Sequence, residues 1–285
     1  MKPLIMKPLI MKPLITLGIV STTFGCTSEP KENVNDHGHR QGLHQEHHHG
    51  GHERSHGSPA AAELIVATEP AEPVAGLPVT LKLMIHSADG TMVKDLDIVH
   101  EEKVHLVIVR DGLDRFAHIH PSVDAEGRLT ITHTFPVGGR YRLFADYAPT
   151  GGGHATALGS VFVAGDAPPA PSLVPNVPGD VEADGLRTSV SAEPLKAGQA
   201  TRVAFALADE NDGSAQLEPF MGALGHLMFV SAAGEYVHVH PVLEDATAGK
   251  VEFEAHFPEP GLYKGWGQFK QDGQVRVIPF VVDVR

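Results

Sequence analysis

From residue 61 onward the chain sets short apolar runs between turn sequences. The runs are Leu64–Thr68, Val79–His86, Leu96–Val99, Val104–Arg110, Phe116–His120, Arg128–Phe135, Gly139–Tyr147 and Ser160–Ala164. Turn signals such as Ala88-Asp-Gly90 and Val137-Gly-Gly139 separate them. No long segment carries the 3.6-residue period of a helix, and several short strands at this spacing predict a β-sandwich. The pattern then recurs. Phe135-Pro136 aligns with Phe257-Pro258, Gly139-Arg-Tyr141 with Gly261-Leu-Tyr263, Phe144 with Trp266, and Phe162 with Phe280. Between the copies lie Pro168, Pro169, Pro171, Pro175 and Pro178, the composition of an extended, semi-stiff linker. The chain is therefore expected to be all-β, with tandem β-sandwich domains at 61–165 and 181–285 joined by a linker at 166–180.

The repeat is densest around histidine. In the first copy His105-Leu-Val-Ile-Val-Arg110 is followed by Phe116-Ala-His118-Ile-His120-Pro121. In the second, His226-Leu-Met-Phe-Val230 is followed by Tyr236-Val-His238-Val-His240-Pro241. Alternate residues of a strand share a face, so each His-x-His pair points one way. A hairpin loop of Asp111 to Asp114 sets Val107 against His118 and His105 against His120. A loop of Ala232 to Gly234 sets Met228 against His238 and His226 against His240. Cross-strand Cβ atoms are about 4.5–5.5 Å apart, so each ribbon gathers three imidazoles on one face. Three convergent imidazoles suit copper or zinc. His105, His118 and His120, and His226, His238 and His240, are the expected metal ligands, one ion per domain. His100 precedes the first ribbon, and the aligned residue of the second copy is Met221. Such an exchange suits copper, because thioether favours Cu(I), so both are candidate auxiliary ligands beside a plain loop role. Two alternatives stand beside metal binding. One is a zinc- or copper-dependent enzyme, with three His and an open position; no carboxylate is placed as an obvious general base, though Asp146 could be one. The other is an interaction module whose histidines brace the hairpins.

Charge and cysteine content narrow the classes. Net charge is −13 with His neutral, which argues against a nucleic-acid partner. A single Cys, Cys26, excludes a disulfide framework and cysteine-based zinc modules. The opening repeats Met-Lys-Pro-Leu-Ile three times and continues through an apolar run to Ser21-Thr-Thr-Phe-Gly-Cys26. That run is short for a membrane-spanning helix. A small residue directly before Cys resembles the lipobox of bacterial lipoproteins, so 1–26 is expected to be a signal peptide, with Cys26 lipidated and the protein anchored in the cell envelope. Residues 27–60 have almost no large apolar side chains and hold His37, His39, His44, His47, His48, His49, His52 and His56. This composition predicts a disordered tether that captures metal without fixed geometry.

The motifs also resemble a known group. His100-Glu-Glu-Lys-Val-His105-Leu, Phe116-Ala-His-Ile-His-Pro121 and Gly138-Gly-Arg-Tyr-Arg-Leu-Phe-Ala-Asp146 are similar to secreted bacterial proteins with YtkA-like or FixH-like immunoglobulin-type domains. Phe220-Met-Gly-Ala-Leu-Gly-His226 and Tyr263-Lys-Gly-Trp-Gly-Gln268 resemble the second half of the same proteins. The resemblance covers roughly 61–285. It implies immunoglobulin-like sandwiches and a role in envelope copper or heavy-metal handling, with metal-handling or oxidase-assembly proteins as partners.

Overall fold

A computed structural model describes residues 62–209, 213–239 and 241–285. The expected signal peptide with Cys26, the His-rich tether and His240 lie outside the described residues. Among the described residues there are strands and no helix. The first domain holds β1 (Ala62–Glu69), β2 (Pro78–His86), β3 (Val104–Arg110), β4 (Phe116–Ile119), β5 (Ser122–Val123), β6 (Leu129–Thr134), β7 (Gly139–Tyr147) and β8 (Ala155–Val163). The second holds β9 (Gly179–Ala183), β10 (Leu186–Ala192), β11 (Ala200–Ala208), β12 (Gly225–Ser231), β13 (Tyr236–Val239), β14 (Pro241–Asp245), β15 (Lys250–His256), β16 (Gly261–Gln271) and β17 (Gln274–Val284).

The second domain shows the architecture most simply. One sheet runs β14-β15-β11-β10-β9 and the other β13-β12-β16-β17. The first domain repeats this order as β5-β6-β2-β1 and β4-β3-β7-β8. There the two sheets are joined, because the start of β1 pairs parallel with β8 at Ala62↔Ala157 and Glu63↔Leu158. Strand one beside two, two beside the sixth, and the third beside the seventh is the immunoglobulin connectivity. Each copy adds a tyrosine corner. Tyr141 Oη donates to Val137 O at 2.8 Å and Tyr263 Oη to Glu259 O at 2.9 Å, pinning the turn before β7 and before β16. The chain is thus two tandem immunoglobulin-like sandwiches.

Alternation builds the two domain cores. Leu81, Leu83, Leu106, Ile108, Phe135, Tyr141 and Leu143 point into the first. Phe205, Leu227, Phe229, Phe253, Phe257, Phe269 and Phe280 point into the second. Yet β3 and β12 are buried at every position. Their other faces meet a third cluster drawn from both domains: Val107, Val109, Leu113 and Phe144 with Met228, Val230 and Trp266. The β3 and β12 sheets therefore pack against each other. The linker is clipped to both halves. Arg110, ion-paired with Asp114 at 2.9 Å, donates to Pro168 O at 2.7 Å, while the Asn176 side chain accepts from Val281 N at 2.7 Å.

Two local expectations differ from the structure. Leu96–Val99 forms only isolated bridges, because Val99 enters a tight turn with Glu102. The eighth strand begins at Ala155 rather than Ser160, extended by its pairing with β7.

Candidate metal centre

The hairpin registers place the histidines. Val107 pairs with His118, and Met228 with His238. The loops close through Arg110 N to Arg115 O at 3.0 Å and Ser231 N to Glu235 O at 2.8 Å. Ahead of each ribbon stands a two-residue turn. Val99 and Glu102 bracket His100 and Glu101, at φ 49° and 71°. Phe220 and Ala223 bracket Met221 and Gly222, at φ 54° and 74°. Two central residues at positive φ suit the right-handed twist of a hairpin. Each turn aims a carbonyl at the ribbon's first histidine. His105 Nε2 meets Val99 O at 2.9 Å, and His226 Nε2 meets Phe220 O at 2.8 Å.

Because the two sheets face each other, contacts cross between domains in reciprocal pairs. Phe116 of the first domain stacks on Trp266 of the second, with centroids 4.9 Å apart. Tyr236 of the second stacks on Phe144 of the first at 4.5 Å. One layer further, His118 Nδ1 donates to Gln268 Oε1 at 2.7 Å. In the mirrored contact His238 Nδ1 lies 2.9 Å from Asp146 Oδ2. The partners occupy matching positions, so the two domains pack about an approximate two-fold axis and the histidines lie along it. Asp146 also accepts from Tyr236 Oη at 2.5 Å and Thr156 Oγ1 at 2.6 Å. With three donors on it, Asp146 holds its neighbours in place and is poorly suited to act as the general base that the enzyme alternative needs.

These partners set the tautomers. A carbonyl only accepts, so His105 carries its proton on Nε2 and presents a lone pair at Nδ1. Gln268 Oε1 draws the His118 proton to Nδ1 and leaves a lone pair at Nε2. Those two nitrogens are 3.1 Å apart, and His120 Nε2 is 3.2 Å from His105 Nδ1. All three ligand atoms lie within 4.8 Å of one another. Tetrahedral nitrogen ligands at 2.0–2.1 Å from zinc stand about 3.3 Å from each other, so the spacing fits one ion. Two inward lone pairs at 3.1 Å repel unless a cation lies between them. A proton is a poor cation here. Burial, with the nearby rings of His120, His105 and His226, holds His118 well below the usual imidazole range. Burial and His105 bring His120 down to about 4. Burial also lowers His105, against the Val99 bond that favours its charged form.

His105, His118 and His120 thus come together as expected, and among the described residues they are the one group of this kind. His226 and His238 were expected to form a second-domain site with His240, which lies outside the described residues; both line the same interface as the first triad. His226 lies 6.0 Å from His118 and 6.4 Å from His105 between ring centroids, and His238 6.4 Å from His105. His100 sits beside them, 5.9 Å from His226 and 6.3 Å from His105. Met221 occupies the matching turn of the other domain. Sequence reasoning missed Gln268 as a histidine partner. The signal was present, since the alignment of Tyr141 with Tyr263 makes Gln268 the counterpart of Asp146.

Fold and site together define a tandem immunoglobulin-like protein with a histidine-lined interface between its domains. The chain belongs to the family described as a domain of unknown function, DUF8832, whose model matches it twice, over 60–163 and 181–285. No curated protein matches it. Among solved structures it is similar to the Escherichia coli adhesin FdeC, at 15% identity over 78% of this chain and 64% of that one, with a TM-score of 0.26. InvD of Yersinia pseudotuberculosis is similar at 14% identity, over 78% of this chain and 58% of that one, with a TM-score of 0.25. The fibronectin(III)-like modules of Clostridium thermocellum CbhA are similar at 14% identity, over 77% and 93%, with a TM-score of 0.22. At such values the likenesses say nothing about function.

Proposed function

We propose that this is an envelope lipoprotein, held by lipid at Cys26, that binds copper, or alternatively zinc, at its domain interface for buffering, delivery or resistance. The observation that carries this is the convergence of His105 Nδ1, His118 Nε2 and His120 Nε2, with the opposite nitrogens of the first two tied to Val99 O and Gln268 Oε1. A histidine ligand commonly donates its other N–H in this way, which fixes ring orientation and raises basicity. Neutral nitrogen donors suit copper and zinc over magnesium or calcium. The His-rich segment would collect ions for the site. The resemblance to envelope metal-handling proteins points to partners of that kind. Equilibrium dialysis of a 61–285 chain against copper or zinc tests the proposal without the His-rich segment. One tightly held ion per chain is expected, lost in His105→Ala. No retained ion, or retention unchanged in His105→Ala, would overturn it.

A further inference from the structure

On that reading, we infer that the second domain supplies a fourth ligand, His226 through Nδ1, so that one ion is shared across the interface. Phe220 O holds the His226 Nε2 proton at 2.8 Å, which leaves a lone pair at Nδ1, the same device that prepares His105. His226 is 2% exposed and belongs to β12, a strand buried on both faces. Its ring lies 6.0 Å from His118 and 6.4 Å from His105. Within the triad the corresponding separations are 4.8–5.3 Å. Rings on one tetrahedral ion stand about 5 Å apart, given metal–nitrogen bonds near 2.0–2.1 Å, so the His226 ring stands roughly 1 Å beyond that separation and must move inward to join the three whose ligand atoms already lie within 4.8 Å of one another. The other second-domain ring, His238, has its Nδ1 held by Asp146 and lies near one ring of the triad, His105, at 6.4 Å. His226 stands near two triad rings, His118 and His105, and is the nearer candidate.

The inference decides the class of site. Structural zinc sites have four protein ligands, whereas catalytic ones keep a position for water. A fourth imidazole from a side chain 2% exposed closes the site, so the protein stores or hands over an ion rather than activating water on it. The ion also joins the domains, since closing the last ångström draws β12 toward β3.

X-ray absorption on zinc-loaded 61–285 chain counts the imidazoles directly. The described residues all belong to one compact unit, and the shortened chain keeps every strand described. Four imidazoles per zinc are expected. His226→Gln should then weaken zinc binding by more than the roughly 10–100-fold that loss of a second-shell partner costs. His238→Gln should stay within that range. Bound zinc with three imidazoles and an oxygen would overturn the inference and leave the proposed function intact. Four imidazoles with affinity unchanged in His226→Gln would also overturn it, by assigning another ring. Absence of bound zinc and copper would remove both. Should His226→Gln fail to fold, the imidazole count on the wild-type chain, with His238→Gln separating the two rings, still decides.

Discussion

Trp266→Ala tests whether the two sandwiches act as one body. Trp266 is 4% exposed, stacks on Phe116 across the interface and belongs to the cluster shared by the two domains. It is absent from both domain cores. Truncating a buried Trp or Phe to Ala costs about 3–5 kcal/mol, of which an aromatic pair supplies about 0.5–1.5 kcal/mol. A cooperative unit of about 150–250 residues loses roughly 2–4 °C per kcal/mol, so the melt should fall by about 6–20 °C. The loss lands on the coupling between domains rather than inside either. Calorimetry should therefore show the wild-type transition broadening or splitting in two. Native proteolysis should cut the 166–180 segment faster, because the clips from Arg110 and Asn176 would no longer join two docked bodies. A loss below about 1 kcal/mol, well under the cavity range, with unchanged linker cleavage would refute the shared interface.

Gln268→Leu removes the acceptor for His118 Nδ1, and metal affinity should drop about 10–100-fold in a competitive chelator titration while the strand-rich spectrum persists. Acid should destabilise the metal-free protein. Burial, with the His238, His105 and His100 rings, brings His226 down to about 4, against about 6.5 for an unfolded histidine. The unfolded chain then binds the extra proton between these values, so stability is full above about pH 6.5 and declines toward about pH 4. The loss is on the order of 3 kcal/mol from this ring, read by urea titration across the range, and a flat profile would contradict it. Tyr263→Phe should cost about 1 kcal/mol in the same assay, through loss of the bond to Glu259 O. Cys26→Ser should shift the protein from the membrane to the soluble fraction, and unaltered membrane association would remove the lipid anchor.

Much of the fold was legible. The strand runs, the turn sequences and the repeat gave two sandwiches, and counting back from the Asp111–Asp114 and Ala232–Gly234 loops gave both hairpin registers. The domain docking was less visible, although the chain carried a signal for it. Val104–Arg110 and Gly225–Ser231 are nearly unbroken apolar runs, and a strand covered on one face alternates instead. Those runs announced two covered faces each. With docking unrecognised, Phe144, Met228 and Trp266 looked like ordinary core, and the histidines of the two copies were not placed on one interface. The reciprocal bonds of His118 to Gln268 and His238 to Asp146 join residues 150 and 92 positions apart. No local periodicity encodes such pairs; they follow only from the approximate two-fold packing.

The central claim is that an ion sits among His105, His118 and His120. Anomalous diffraction from a crystal of the 61–285 chain grown with zinc or copper addresses it most directly. The expected result is one strong peak at the metal edge, about 2.0–2.1 Å from His105 Nδ1, His118 Nε2 and His120 Nε2 for zinc. A saturated crystal with no peak between these nitrogens, or peaks only at surface residues, would contradict it.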